Sequence, residues 1–284
     1  MISPKADLHF HTTASDGRLT PEECLHLAAS RNLKGLAITD HDTIDGYLQI
    51  RDQVIYPDLE LLAGVEISCN YEGREIHMLA YGFDADQQEL RDFMAQQRHV
   101  RRKRTRQIIE RLAALGFDIS FDEIMAESGR ATISRNHIAD AMLQKSYVAS
   151  RKEAFDRYLH TGGPAYVQNE YADVSDVIDR IHQCGGVCVL AHPGPYYIFE
   201  DFRYFLKAGI DGMEYIHPSH NFQTQKKIKD YAVNYGLLLT GGSDFHGIKP
   251  FEEQLVGTVC VDAVRMENIL DQCQVNMDKK SDMV

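Results

Sequence analysis

An α/β barrel carrying a helical insertion is the fold that this sequence of 284 residues predicts. Three observations predict it. Short apolar runs alternate with helical patterns towards both ends of the chain, which implies parallel strands joined by helical crossovers. Several of those runs end in histidines or carboxylates, the way such a barrel presents groups at one mouth. Between residues 87 and 159 the strand signal almost vanishes, so a helical segment interrupts the alternation.

The elements follow in order. The first strand covers residues 6–10. The first helix starts with Thr20 as cap, Pro21 in its first turn and Glu23 three residues after the cap, and it ends near Asn32. A strand over 35–39 leads into Asp40-His41-Asp42, with Thr43 available to cap the next helix, and Asp42 as an alternative cap. A third strand over 59–67 carries Glu66. Tyr71-Glu72-Gly73-Arg74 reads as a turn, and residues 75–81 return as a strand bearing His77. A long helix then ends at Gly116, and Ser120 with Glu123 and Ser150 with Glu153 form two further capping boxes. The alternation resumes with a helix over 173–184. Strands follow at 187–191, 212–216, 237–240 and 256–261, and a last helix starts near 264. Residues 278–284 are mostly polar and predicted to fray. The barrel is therefore assigned to 1–86 and 166–284, and the insertion over its C-terminal mouth to 87–165.

Composition narrows the class. The chain is 44% hydrophobic and 25% charged, ordinary for a globular protein, and no apolar run approaches the roughly 18 residues that would span a membrane. The first residues carry no apolar leader, so cytoplasmic residence is expected. Six scattered cysteines without a CxxC pair read as free, buried thiols. The net charge of −12 opposes attraction of nucleic acid by the overall field, so any positive charge for a phosphate must be local. The basic run Arg98-His99-Val100-Arg101-Arg102-Lys103-Arg104-Thr105-Arg106 reads as a solvated helix face, or in part as the wall of a phosphate-binding cleft.

The candidate metal ligands sit at strand ends. His9 and His11 are two apart on a strand and share a face, and Asp16 lies in the turn that follows. His41 ends the second strand, where ionisable residues are costly unless paired or bound to metal. Asp40 or Asp42 is placed to orient an imidazole. Glu66 stands in an otherwise apolar strand, and a glutamate can bridge two cations. His77 lies on the neighbouring strand, His192 is followed by Pro193, and Asp244 and His246 repeat the spacing of two. Imidazoles and carboxylates without thiolate suit Mn, Fe or Zn. His26, His99, His160 and His182 fall in or beside helical patterns and read as surface or packing residues.

This ordered set, His9-x-His11, Asp16, Asp40-His41-Asp42, Glu66, His77, Ala191-His192-Pro193 and Ser243-Asp244-x-His246, resembles the polymerase and histidinol phosphatase (PHP) superfamily from about residue 6 to 246. The resemblance implies a distorted (β/α)7 barrel and a trinuclear site that hydrolyses phosphate esters. It implies a first metal on His9, His11, Glu66 and Asp244. A second shares Glu66 and adds His77 and His192, and a third takes Asp16, His41 and His246. That is up to three divalent ions per chain, with manganese first and iron or zinc as alternatives.

The segments 133–139, 162–167 and 217–220 further resemble the branch that removes phosphate from nucleotides. That branch includes phosphatases of nucleoside 3′,5′-bisphosphates and relatives that trim short RNA from its 5′ end. The implied enzyme is a metal-dependent phosphoric ester hydrolase using a metal-bridging hydroxide. It releases the 3′-phosphate of a bisphosphate or acts on short 5′-phosphorylated RNA, with no membrane and no stable protein partner. Arg135 at a helix start is placed to clamp a phosphate. His137, His217 and His220 are placed to bind phosphate, with His217 and His220 as candidate proton donors. Blander roles are an ion pair of Arg135 with Asp140 or Asp122, and helix capping by His220. Competing readings are a histidinol-phosphate phosphatase, an amidohydrolase (opposed by the lack of a mid-barrel strand lysine) and a non-catalytic metal- or RNA-binding module.

Overall fold

The computed structural model describes residues 3–53, 55–128, 132–195 and 197–281. Strands β1 (Lys5–Asp7), β2 (Gly35–Ile38), β3 (Glu60–Tyr71), β4 (Arg74–Tyr81), β5 (Val187–Leu190), β6 (Gly212–Ile216), β7 (Leu238–Gly241) and β8 (Val261–Asp262) form one sheet in the order β7-β6-β5-β4-β3-β2-β1-β8. Beyond their ends β1 and β7 meet. Leu8 N–H donates to Gly241 O at 3.2 Å, His11 N–H donates to Phe245 O at 2.9 Å, and Phe10 bridges Phe245 in parallel. These contacts bring β1 to β7 around a nearly closed, distorted barrel, and β8 lies antiparallel on β1.

The pairing is not parallel throughout, as alternation alone implied. β3–β4 and β4–β5 are antiparallel. A two-residue turn replaces the crossover helix between β3 and β4. Glu72 and Gly73 both take positive φ, 49° and 78°, a mirror-image turn whose twist suits a hairpin. That hairpin pairs residues from Gly64↔Tyr81 to Tyr71↔Arg74, so β3 runs four residues past its expected end at 67. The strand expected over 256–261 shrinks to Val261–Asp262, because Gly257 at φ 79° turns the chain there.

Helices α1 (Pro21–Ser30) and α2 (Asp45–Ile50) follow β1 and β2. The stretch between β4 and β5 supplies α3 (Gln88–Ala114), α4 (Phe121–Ser128), α5 (Arg135–Gln144), α6 (Arg151–Ala154) and a π-helical turn at Phe155–Leu159. Then come α7 (Val174–Gln183), α8 (Phe199–Ala208), α9 (Phe222–Tyr235), α10 (Glu252–Leu255) and α11 (Val264–Ser281). Helix α11 continues through part of the stretch expected to fray, ending at Ser281, and 282–284 lie outside the described residues. The Thr20–Glu23 and Ser120–Glu123 boxes form. At α6 Ser150 accepts from Glu153 N–H, but the Glu153 carboxylate takes Ala149 N–H instead of Ser150 N–H. Thr43 accepts from Asp45 N–H at 3.2 Å one residue before the N-cap position, which Ile44 holds.

Apolar packing among the described residues falls into four clusters, of which two matter most here. Leu8, Leu62, Leu79, Tyr81 and Val189 are among the side chains buried inside the barrel. Ile108, Leu112, Ile124, Ile138, Met142 and Leu159 form a separate cluster among α3, α4, α5 and the π-helical turn. Each such buried side chain stabilises its cluster by about 1.5–3 kcal/mol. Helix α3 serves both, since its Leu90, Phe93 and Met94 pack on the barrel's outer layer. Cys24, Cys69, Cys188, Cys260 and Cys273 are free thiols, and of the six cysteines five are buried and Cys260 is half-buried. No described helix is long and apolar enough to cross a membrane.

Candidate metal centre

After β1 the chain stays extended to His11, held by Thr39 N–H donating to Phe10 O at 2.8 Å and Phe10 N–H to Thr39 Oγ1 at 3.0 Å. His9 and His11 therefore point to one side, and both are fully buried. The β7 extension presses close against them. A Cβ on Gly242 would lie 2.4 Å from His9 N, so only glycine lets the two backbones approach. Asp42, His192 and Asp244 take positive φ of 50°, 29° and 49°, strain concentrated where the side chains converge.

The nine candidate ligands come together. Asp244 Oδ1 lies 3.3 Å from His9 Nε2 and 3.2 Å from His11 Nε2, and Glu66 Oε2 lies 3.5 and 3.2 Å from the same atoms. The other Glu66 oxygen faces His77 Nδ1 at 2.8 Å and His192 Nε2 at 2.9 Å. Asp16 Oδ1 faces His246 Nε2 at 3.4 Å and His41 Nε2 at 3.9 Å, while His41 Nδ1 reaches Glu66 Oε2 at 3.0 Å. Glu66 thus joins the groups through both oxygens.

Burial and charge make the cluster unusual. His9 Nε2, His11 Nε2, His41 Nδ1 and Asp16 Oδ1 are buried polar atoms without a hydrogen bond, a costly state for a polypeptide alone. They converge with carboxylate oxygens, so the donor set fits divalent cations. Burial works against a charged His77 and His246, yet Glu66 and Glu75 raise the first to about 10, and Asp16 and Asp244 raise the second to about 10. Burial also disfavours the Glu66 carboxylate, but His41, His77 and His9 hold it well below its usual range. Burial dominates at His41, which falls to about 4.

Supporting groups orient this set. Glu214 Oε1 lies 2.9 Å from His9 Nδ1, and its Oε2 accepts His192 N–H at 2.6 Å. Sequence reasoning missed Glu214, although a lone acid in the apolar strand Gly212–Ile216 is the signal that singled out Glu66. Asp40 and Asp42 were expected to orient an imidazole and do other work. Asp40 accepts from Thr12 N–H, Thr12 Oγ1 and Ser15 Oγ, fixing the turn that carries Asp16. Asp42 accepts Ser68 N–H at 2.8 Å and pairs with Arg101. The basic run is likewise not simply solvated. Arg101 and Arg104 are 6% and 5% exposed.

A cleft of ≈ 750 Å³ opens beside the cluster, lined by His217, Asp244 and His246, by Asn136, Arg151 and Phe155 of the insertion, and by Lys249 and Phe251 opposite. His217 Nε2 lies 3.3 Å from Asp244 Oδ2, and its Nδ1 accepts Ser219 N–H at 3.1 Å. His220 Nδ1 lies 3.0 Å from Tyr215 O and its Nε2 is buried without a partner. Asn221, not His220, caps α9. Arg135 lines a separate small cavity with Arg101, Arg104 and Tyr171. Its ion-pair partner is Glu75 at 3.1 Å, whereas Asp140 takes Arg18 and Arg151. His137 Nδ1 accepts Ser134 N–H at 3.0 Å at the start of α5.

The chain is similar to known proteins over most of its length. Residues 7–187 match the PHP domain. The chain is 34% identical to a 5′-3′ exoribonuclease of Haemophilus influenzae, over 86% of this chain and 91% of that one. It is also 34% identical to a 3′,5′-nucleoside bisphosphate phosphatase of Chromobacterium violaceum, over 84% and 86%. A crystal structure from Bifidobacterium adolescentis, provisionally assigned as a metal-dependent phosphoesterase, superposes with a TM-score of 0.85 at 32% identity, covering 94% of this chain and 96% of that one.

Proposed function

The chain belongs to the PHP domain family and is a metal-dependent phosphoesterase, and on that footing we propose that its substrates are nucleotides. The favoured reaction is release of the 3′-phosphate from nucleoside 3′,5′-bisphosphates, with short 5′-phosphorylated RNA as a second substrate. The observation that carries this reading is the cleft. Its ≈ 750 Å³ falls within the span of small-ligand sites, about 300–1,000 Å³, and it sets aromatic Phe155 and Phe251 beside basic Arg151 and Lys249. Those side chains suit a base and a second phosphate once the reacting phosphate lies against the histidine cluster. The insertion, residues 87–165, acts as a cap that supplies one wall.

His9, His11, Glu66 and Asp244 would hold one divalent ion, Glu66, His77 and His192 a second, and Asp16, His41 and His246 a third. Nitrogen and oxygen donors without thiolate suit manganese, with iron or zinc as alternatives. Such ions, when bound, draw a nucleophile from water at neutral pH and neutralise charge on the phosphoryl oxygens.

The chain's own groups supply the rest. His217 Nδ1 accepts the Ser219 backbone N–H, so Nε2 is the nitrogen that carries a proton, and it lies 3.3 Å from Asp244 Oδ2. That N–H is placed to stabilise the departing oxygen as a hydrogen-bond donor. Asp244 divides its labour, with Oδ1 on His9 and His11 and Oδ2 on His217. His220 backs His217, their ring centroids 5.3 Å apart. Arg135 and His137, expected at the phosphate, do not line this cleft, where α5 contributes Asn136 instead, and Arg135 is held by Glu75.

The test is phosphate release by manganese-reconstituted protein from adenosine 3′,5′-bisphosphate, with AMP, histidinol phosphate and a 5′-phosphorylated RNA trimer alongside. Preference for the bisphosphate or the trimer supports the reading. Preference for histidinol phosphate overturns it.

A further inference from the structure

At three of the places where the insertion meets the barrel mouth, an insertion side chain holds a barrel carboxylate. Glu75 faces a candidate metal ligand, Asp42 neighbours one in the chain and Asp16 is one itself. Glu75 is the fullest case. It lies two residues from His77 on β4, so both side chains share a face. Glu75 Oε1 is 4.0 Å from His77 Nε2, while His77 Nδ1 is 2.8 Å from Glu66. Glu75 Oε2 takes Arg104 Nη1 of α3 at 2.7 Å and Arg135 Nη2 of α5 at 3.1 Å. The ring therefore sits between the cluster and Glu75, and Glu75 sits between the ring and two arginines.

The other two ties repeat the pattern. Asp42, next to His41, pairs with Arg101 of α3, which also donates to Ser68 Oγ at 2.6 Å and Ile133 O at 3.3 Å. Asp16 turns Oδ1 to His41 and His246, and its Oδ2 accepts Asn136 Nδ2 of α5 at 2.9 Å. Burying arginine–carboxylate pairs is a poor way to glue two surfaces, because desolvation offsets most of the attraction and apolar side chains of similar size hold as well. What the guanidinium fork supplies is direction.

We propose that Glu75 is a positioning residue for the metal centre, orienting His77 from the insertion side, and that Asp42–Arg101 and Asp16–Asn136 act as parallel ties, so that docking of the insertion and loading of metal are coupled. The proposal rests on the reading of His77 as a ligand. Coupling is reciprocal. Metal binding must tighten the insertion by as much as the docked insertion tightens metal binding.

The experiment counts free Mn²⁺ by electron paramagnetic resonance during titration of the metal-free protein, for the parent, Glu75→Gln, Asn136→Ala and His77→Ala. Hydrogen exchange of α3 and α5 is followed with and without Mn²⁺. Glu75→Gln should weaken binding of one Mn²⁺ by about 10–100-fold, the usual cost of losing a group that orients a ligand. It should also remove much of the Mn²⁺-dependent protection of α3 and α5. Asn136→Ala, a smaller cut, should weaken binding in the same direction, and it carries the test if Glu75→Gln does not fold. If His77→Ala loses a metal while Glu75→Gln and Asn136→Ala bind as the parent does, the ties are only structural and the proposal fails with the ligand reading intact. If His77→Ala binds Mn²⁺ as the parent does, the ligand reading fails and the proposal with it.

Discussion

The barrel and the insertion bury their side chains differently. Each has an apolar interior, with Leu8, Leu79 and Val189 in one and Leu112, Ile138 and Met142 in the other. Where the barrel mouth meets the insertion, Arg101 faces Asp42, Arg104 faces Glu75 and Asn136 faces Asp16 instead. Apolar contact is roughly proportional to area and has no direction. A buried ion pair adds little net stability but tolerates only one geometry. The contrast teaches that stability resides within each region, and orientation in the seam between them.

The comparison can be broken at four points. The largest effect should come from His9→Ala at the mouth. Metal stabilisation of the transferring phosphoryl group is worth several kcal/mol, so phosphate release should fall by about 10³-fold or more. A variant that retains activity would remove His9 from the site. Next is the seam. Arg101→Met leaves the Asp42 carboxylate buried and unpaired, which should cost about 3–5 kcal/mol in denaturant unfolding, and Asp42→Asn in the same chain should recover most of it. A small loss would mean that the seam is wet and its pairs weak.

Gly242→Ala tests the barrel's own tolerance. The added Cβ meets His9 N at 2.4 Å, and overpacking of this kind costs about 1–3 kcal/mol. The melting temperature should drop, with metal affinity falling too because His9 shifts. The gentlest perturbation is pH. In the metal-free protein burial opposes protonation of His9, His77 and His246, yet neighbouring carboxylates hold all three above their ordinary 6.5, the last two at about 10. The stability they contribute is complete below pH 6.5 and lost as pH rises towards 10. His41 at about 4 and Asp7, pushed by burial up to about 7, titrate lower and do not reverse that slope above pH 7. The melting temperature of metal-free protein should therefore fall from pH 7 to 9. Metal affinity should rise over the same interval, because binding displaces those protons. Parallel slopes would refute the charged cluster.

Much of this was legible before folding. The spacing of two in His9-x-His11 and Asp244-x-His246, and single charges ending apolar strands, were enough to assemble nine side chains that do converge. The order of elements along the chain and the helical interruption followed from periodicity. Glu214 carried the same signal as Glu66 and was overlooked. The basic run misled, because a charge count along α3 cannot tell that Arg101 and Arg104, three apart, occupy the face turned towards Asp42 and Glu75. The strand expected over 256–261 overreached where apolar residues surround Gly257 at positive φ.

Sequence by itself determined the kinds of element, their order and the donor atoms available at the strand ends, since backbone periodicity and capping are settled within a few residues. Tertiary structure decided that β4 also runs antiparallel to β5, that Glu66 joins the imidazoles through both oxygens, and that α3 turns two arginines inward. Those outcomes depend on charges brought together from distant parts of the chain into a region of low dielectric, where pairing outweighs solvation only when every partner is in place.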